Sequence, residues 1–179
     1  RWTVIAPLFA FCLLGQELDR AYEALRAGQL ETARREFEAG LAKEAEKVGA
    51  RVDYAYLLMR IGETAKARAE IQRVLELEPE REGLWLEYAF LCYETGQRAE
   101  GFEVFLRLRG AADAGVRKTA EETWARLDGE LATAIGRWRE AAAKNPGSYS
   151  VHEELARLLE ERNDYVGSAE QYRLAFGLR

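Results

Sequence analysis

The sequence contains few of the residues that interrupt helices or join chain segments covalently. Its 179 residues include only three prolines, and proline is the residue that most disrupts a helix interior. The two cysteines, Cys12 and Cys92, form no CxxC pair and no disulfide framework, so the redox compartment stays open. No stretch alternates Val, Ile or Thr with polar residues, as a half-buried strand would. Because Ala, Leu, Glu and Arg dominate and favour helices, the composition predicts an all-α fold.

The sequence also lacks the common motifs of catalysis and of cofactor or metal binding. It has neither a G-x-x-x-x-G-K-[ST] loop nor a G-x-G-x-x-G loop to hold phosphates. We interpret the single histidine, His152, as a helix-packing residue, because a general base needs a poised partner and a cleft. One histidine and two distant cysteines cannot supply a metal site. We therefore predict that the chain is not an enzyme and uses no cofactor.

An excess of positive charge is missing as well. The formal net charge is −5, so no overall cationic field attracts phosphate backbones. Arginines are interleaved with glutamates at helical spacing, as in "ARREFEAGLAKEAEK", which is typical of solvated helix faces with weak ion pairs. The charge pattern therefore predicts no nucleic-acid partner.

Residues 1–15 differ in kind from the rest, because residues 2–15 carry no charge. This run is shorter than the roughly 20 residues that a transmembrane helix needs. An arginine before a short apolar stretch resembles a secretory signal peptide, although no A-x-A cleavage site follows. An export signal, a segment packed against the first repeat and a membrane anchor all stay open, and only the anchor predicts membrane association. The export interpretation slightly favours an exported or periplasmic location over a cytoplasmic one.

The remaining chain contains a regular repeat. The sequence numbers of Gly28, Gly62 and Gly96 differ by 34 each time, Gly129 follows after 33, and Asn163 after another 34. Glycine, and asparagine in its place, adopt the left-handed backbone of tight turns between helices. The spacing therefore predicts five turns, each joining two helices.

Other positions keep the same phase, and their sizes predict how the two helices pack. A small residue on one helix lets its partner approach closely, and a large apolar residue fills the remaining groove. Pro79 and Pro146 follow Gly62 and Gly129 at the same distance, where one unit should end and the next begin. The small residues are Ala33, Ala67, Gly101, Ala134 and Ser168, and the large ones are Phe37, Ile71, Phe105, Trp138 and Tyr172.

These residues resemble the tetratricopeptide repeat family. The third unit, with "WLEYAFLCYETGQ", fits the family's signature positions best, and the fifth offers "ERNDYVGSAEQYRLAF". The resemblance implies a right-handed solenoid of about five helical hairpins over residues 16–179. The units would span approximately 14–47, 48–81, 82–114, 115–148 and 149–179. The signature residues are Trp85, Tyr88, Ala89, Gly96, Gly101 and Phe105 in the third unit, and Tyr54, Ala55, Gly62, Ala67, Ile71 and Pro79 in the second.

The fourth unit departs from this pattern. Its first helix, "VRKTAEETWARL", is out of phase, and "GAADAG" precedes it where a proline would be usual. We expect a local change of helix angle there.

The resemblance also implies where a partner would bind. The first helix of each hairpin lines the concave side of the solenoid, and its exposed positions form a groove of aromatic and charged side chains. Tyr54 and Tyr88 lie two positions before the groove positions and are expected to pack between helices instead. The predicted groove residues are Tyr22, Arg26, Tyr56, Arg60, Phe90, Tyr93 and Glu94.

The predicted function is a non-catalytic protein-interaction scaffold that binds a partner segment in this groove, with a bacterial cell-envelope assembly as one setting. The family's lysine and asparagine clamp for chaperone C-termini is missing from the groove positions of the first three units. One alternative is a regulatory or substrate-presenting domain of a larger enzyme. Another is a self-assembling module, a homo-oligomer formed through the open ends or through the apolar segment 1–15. The end of the chain, "AFGLR", leaves Phe176 and Leu178 uncovered unless further chain or a second copy packs there.

Overall fold

The computed structural model describes residues 16–179, and this range contains nine α-helices and no strand, which confirms the all-α prediction. The earlier residues 1–15 lie outside it, so the three interpretations of that segment stay predictions. No helix in the described range is long and apolar enough to cross a membrane. The helices are α1 (Gln16–Arg26), α2 (Leu30–Lys43), α3 (Val48–Arg60), α4 (Thr64–Leu77), α5 (Glu82–Glu94), α6 (Arg98–Leu108), α7 (Ala114–Lys144), α8 (Tyr149–Glu161) and α9 (Tyr165–Gly177).

The chain divides into two compact structural units, each larger than one of the repeat units predicted from the sequence, and "first unit" and "second unit" refer to these two from here on. The first ends at Glu80 and contains the hairpins α1–α2 and α3–α4. The second begins at Arg81 and contains the hairpin α5–α6, the single helix α7 and the hairpin α8–α9.

Four of the five predicted turns are present. Gly28, Gly62, Gly96 and Asn163 have φ angles of 72°, 84°, 82° and 66°. In each case the next residue donates its backbone N–H to the carbonyl five residues earlier, with N···O distances of 2.8–2.9 Å. This hydrogen bond satisfies a carbonyl at the end of the first helix and reverses the chain.

The predicted turn at Gly129 is wrong. Gly129 lies inside α7, which runs without interruption for 31 residues from Ala114 to Lys144. The buried positions Ala120, Leu127, Leu131 and Ile135 keep helical spacing on both sides of the glycine, so one continuous helix buries them all. A glycine within a helix costs only about 1 kcal/mol, which this packing exceeds. A single helix therefore replaces the predicted fourth hairpin.

Small and large residues pack in the predicted alternation within the first three hairpins, whereas in the last hairpin the large residue Tyr172 is only half-buried. Phe37, Ile71 and Phe105 are fully buried, and Ala33, Ala67, Gly101 and Ser168 lie buried opposite the first helices. A Cβ atom on Gly101 would lie 2.6 Å from the ring of Tyr93, so this position requires glycine for steric reasons. In the fourth segment the corresponding residues, Ala134 and Trp138, are only half-buried.

The two internal prolines mark helix ends as predicted. Helix α4 ends at Leu77, two residues before Pro79, and α7 ends at Lys144, two residues before Pro146. A proline disfavours helical backbone in the residue before it, so each helix stops short of that residue.

Candidate functional site

The predicted groove residues of the first unit lie on α1 and α3. Tyr22 is half-buried, with its ring edge against Phe37 at a centroid distance of 5.2 Å. Its hydroxyl donates a 2.7 Å hydrogen bond to Asp53 Oδ2 on α3. Burial and, after it, this hydrogen bond raise the pKa of Tyr22 to about 12. Tyr22 thus joins α1, α2 and α3 while keeping part of its ring at the surface.

Tyr56 occupies the same repeat position on α3, and its side chain is 44% exposed. Arg26 and Arg60 are exposed in the last turns of α1 and α3. We call Tyr22, Arg26, Tyr56 and Arg60 the first-unit face. It combines aromatic surface with two positive charges.

The second unit repeats part of this arrangement on α5. Phe90 is 38% exposed, and its ring edge lies against Phe105 at a centroid distance of 4.9 Å. Phe90 and Phe105 follow Tyr22 and Phe37 by two repeat periods each, so the same ring contact recurs in both units. Glu94 is exposed at the end of α5. We call Phe90, Tyr93 and Glu94 the second-unit face.

Tyr93 contributes less open surface than the sequence predicts. Its ring is half-buried, lies 5.9 Å from the ring of Phe105 and fills the space that Gly101 leaves on α6. The Tyr93 hydroxyl has no hydrogen-bond partner within residues 16–179, and burial raises its pKa. Tyr93 therefore mainly packs within the hairpin α5–α6.

Tyr54 and Tyr88 pack in the interior, as predicted. They are 4% and 3% exposed. Tyr54 stacks on Phe37 and donates a 2.8 Å hydrogen bond to Glu38, while Tyr88 donates a 2.6 Å hydrogen bond to Glu100. Burial first, and then these hydrogen bonds, raise the pKa of both tyrosines.

His152 has the predicted packing role. It is buried, its Nε2 donates a 3.0 Å hydrogen bond to the Pro146 carbonyl, and its Nδ1 lies 2.8 Å from Gln171 Oε1. These contacts join α8 to the preceding loop and to α9. In the part of the chain that the structure describes, no three potential ligands come together to hold a metal ion.

The sequence did not predict a cavity of about 780 Å³ in the first unit. One wall is formed by residues 38–46 of α2 and the loop that follows it, and the other by residues 66–77 of α4. Arg51 and Tyr54 of α3 form the floor. We call it the α2–α4 trough. Arg51 is buried there in an ion pair with Glu70. The only related sequence signal is that Arg51 stands one repeat period before Trp85, a large residue that is half-buried in the structure.

Comparisons with known proteins agree with this architecture. The tetratricopeptide repeat family matches residues 24–82 and again residues 128–177. A search of curated proteins found no match.

Several solved structures have a similar fold. The 41-end form of MamA from Desulfovibrio magneticus RS-1 is 19% identical over 92% of this chain and 94% of its own, with a TM-score of 0.50. A tetratricopeptide repeat protein from Parabacteroides merdae ATCC 43184 is 14% identical over 90% of this chain and 63% of its own, with a TM-score of 0.54. The tetratricopeptide repeat domain of P58(IPK) is 17% identical over 93% of this chain and 51% of its own, with a TM-score of 0.53. Together with the four hairpins, these likenesses confirm the predicted solenoid fold class.

Proposed function

The chain belongs to the tetratricopeptide repeat family, and we propose that it is a non-catalytic scaffold that binds a segment of a partner protein along its first helices. Proteins of this family are typically interaction scaffolds, and this fold class implies protein binding. The proposal adds which residues of this chain make the contact.

One observation carries the proposal. Tyr56 and Phe90 are large rings at one repeat position, one period apart, and both remain exposed on first helices. Two positions earlier on the same helices, Tyr54 and Tyr88 are buried. Exposed aromatic rings favour binding because they offer large contact areas and lose few rotamers when they are covered.

The charges beside these rings would orient the partner. Arg26 and Arg60 give the first-unit face two cations, whereas Glu94 gives the second-unit face an anion. Charges at the rim of an interface select orientation and partner more than they add affinity. The first-unit face thus favours an acidic group on the partner, and the second-unit face favours a basic one.

A peptide-display selection tests this proposal. Peptides selected on the folded chain are measured against Tyr56→Ala, Phe90→Ala, the double variant and the control Tyr165→Ala, which removes an exposed ring from the second helix α9. We expect the double variant to weaken most selected peptides at least roughly ten-fold, as interface hot spots do, and the control to leave them unchanged. Equal binding to the double variant and the control would contradict the proposal.

A second candidate function, self-association, is favoured by the surface of α9. Phe176 is 64% exposed, Leu178 44% and Val166 84%. Phe176 corresponds by repeat position to Arg109 after α6, which stacks over Trp124 of α7 at 4.0 Å. The face that α7 covers on α6 is therefore exposed on α9, and a second copy of the chain would bury it.

Light scattering over a concentration series tests self-association. We expect the mass to rise with concentration for the unmodified chain and to stay monomeric for Phe176→Glu, because a carboxylate cannot be buried in an apolar contact without a large cost. A monomer at every concentration would exclude this candidate.

The cell-envelope setting is a further proposal. It is supported by the uncharged run of residues 2–15. Fractionation of cells that express the chain with and without residues 1–15 tests it, and we expect only the longer form in the envelope fraction. Equal distribution of both forms would contradict this setting.

A further inference from the structure

We propose that the α2–α4 trough is a second binding surface, distinct from the first-helix faces, and that it takes a basic segment of a partner protein. The trough lies on the second helices of the first unit, whereas the proposed scaffold function uses the first helices. Its volume of about 780 Å³ lies within the range of protein ligand sites, roughly 300–1,000 Å³.

The floor of the trough is fixed before any partner arrives. Arg51 is 6% exposed, forms an ion pair with Glu70, and donates a 2.7 Å hydrogen bond to the Ala45 carbonyl. Tyr54 is held by its hydrogen bond to Glu38. A preorganised floor lowers the entropic cost of binding, because few side chains must become ordered.

The walls offer apolar contact with room for a backbone. Leu77 is 54% exposed at the end of α4, a position that gives a partner an apolar anchor. Ala42, Ala45 and Ala69 are small and exposed on the facing walls. A chain lying between these alanines can approach both walls closely.

The cations of the trough are already paired. Arg51 and Arg73 both bind Glu70, and Lys66 lies 3.1 Å from Glu63, which is outside the trough. Each of these cations therefore has a carboxylate partner within the chain, and Arg51 and Arg73 share one.

Two carboxylates at the far end of the trough, those of Glu46 and Glu76, differ from these cations because they have no ion-pair partner in the described part of the chain. Within residues 16–179, no cation lies at ion-pair distance from Glu46 or Glu76. The nearby lysines form ion pairs with other carboxylates: Lys43 pairs with Glu17, and Lys47 pairs with Glu44. This end also contains the carboxyl ends of α2 and α4, which carry partial negative charge.

This charge pattern selects the occupant. A segment with lysine or arginine beside small or apolar residues would neutralise Glu46 and Glu76 while its apolar side chains cover Leu77. An acidic segment would meet two uncompensated carboxylates. The trough is thus suited to a basic, partly apolar segment.

Fluorescence anisotropy with a labelled peptide of alternating leucine and lysine tests the proposal, and a leucine and glutamate peptide serves as its counterpart. The test variant is Glu46→Lys with Glu76→Lys. The control, Glu140→Lys with Glu170→Lys, makes the same charge change on exposed positions of α7 and α9. We expect the test variant to bind the lysine peptide roughly ten-fold more weakly than the control does, and added salt to weaken binding to the unmodified chain.

A variant that fills the trough distinguishes binding inside it from non-specific attraction between charges. Ala69→Trp fills the trough without changing charge, so it should also weaken the lysine peptide, while circular dichroism shows an intact fold. Tyr56→Ala with Phe90→Ala should leave this binding unchanged, which separates the trough from the proposed scaffold surface. Equal losses in the test and control variants, or equal binding of both peptides, would overturn the proposal. If Glu46→Lys with Glu76→Lys instead changed the oligomeric state, the occupant would be a second copy, and the proposal of a partner segment would be wrong.

Discussion

At the scale of single residues, one repeat position shows how different side chains solve the same packing problem. In three of the four hairpins, a residue near the start of the first helix lies beside a residue on the second helix, 19 positions later in the sequence. In the second hairpin the pair is the ion pair Arg51–Glu70, and in the last hairpin it is the polar pair His152–Gln171. In the third hairpin Trp85 and Val104 take these positions and line one cleft. The position therefore requires matched partners rather than one residue type.

Substitutions at Arg51 and Glu70 test this pairing. Arg51→Trp alone should lower the free energy of unfolding by about 3 kcal/mol, because it leaves the Glu70 carboxylate buried without its main partner. Adding Glu70→Val creates the pair found in the third hairpin and should recover most of the loss, since well-packed apolar pairs replace buried ion pairs at little cost. Urea denaturation of both variants gives the two free energies. A double variant less stable than the single one would contradict the pairing.

The raised pKa of Tyr22 predicts that the folded chain loses stability at alkaline pH. Its pKa is about 12 in the folded chain, against about 10 when unfolded, so folding favours the neutral hydroxyl. This contribution is fully present below about pH 10 and is lost as the pH rises towards 12.

Urea denaturation at stepped alkaline pH measures this loss, with tyrosinate absorbance as a second signal. We expect the free energy of unfolding to fall less steeply in Tyr22→Phe than in the unmodified chain. A difference titration that places the pKa of Tyr22 near its ordinary value would show that neither the burial of Tyr22 nor its hydrogen bond to Asp53 holds in solution.

At the scale of helices, the repeat period predicted four of five turns correctly and the turn at Gly129 wrongly. The period identifies residues that can adopt left-handed backbone, but it does not show whether the chain must reverse there. Around Gly129 the apolar stripe continues in helical phase. The preceding residue, Asp128, accepts two hydrogen bonds from the guanidinium of Arg162, which follows α8. Both interactions favour an uninterrupted α7. Sequence reasoning missed this because the Asp128–Arg162 contact joins residues that are far apart in the chain.

Two alanine substitutions distinguish the two kinds of glycine. Gly62→Ala should destabilise the chain by roughly 1 kcal/mol or more, because Gly62 has a φ of 84°, which other residues adopt only with strain. Gly129→Ala should stabilise it by about 0.5–1 kcal/mol, because alanine favours the helix and its Cβ would meet no atom within 4 Å. Thermal unfolding of both variants provides the measurement. Shifts of the same sign would mean that one of the two backbones differs in solution.

At the scale of the whole molecule, the sequence predicted the fold class and the exposure of Tyr56 and Phe90, because both follow from the spacing of the repeat. It did not predict that Tyr93 packs against α6, since that depends on the space above Gly101. Nor did it predict the α2–α4 trough, whose shape depends on how Arg51 lies beneath two helices. Repeat spacing thus identified two first-helix positions that remain exposed, and side-chain packing decides how much of each predicted groove residue stays at the surface.

The most direct test of the scaffold proposal is hydrogen–deuterium exchange of the chain with and without a peptide selected by display. We expect the peptide to slow exchange in α1, α3 and α5, the helices that carry Tyr22, Tyr56 and Phe90. Exchange in α2, α4 and α9 should change little. Protection confined to the second helices or to α9, with no change around Tyr56 and Phe90, would contradict binding along the first helices.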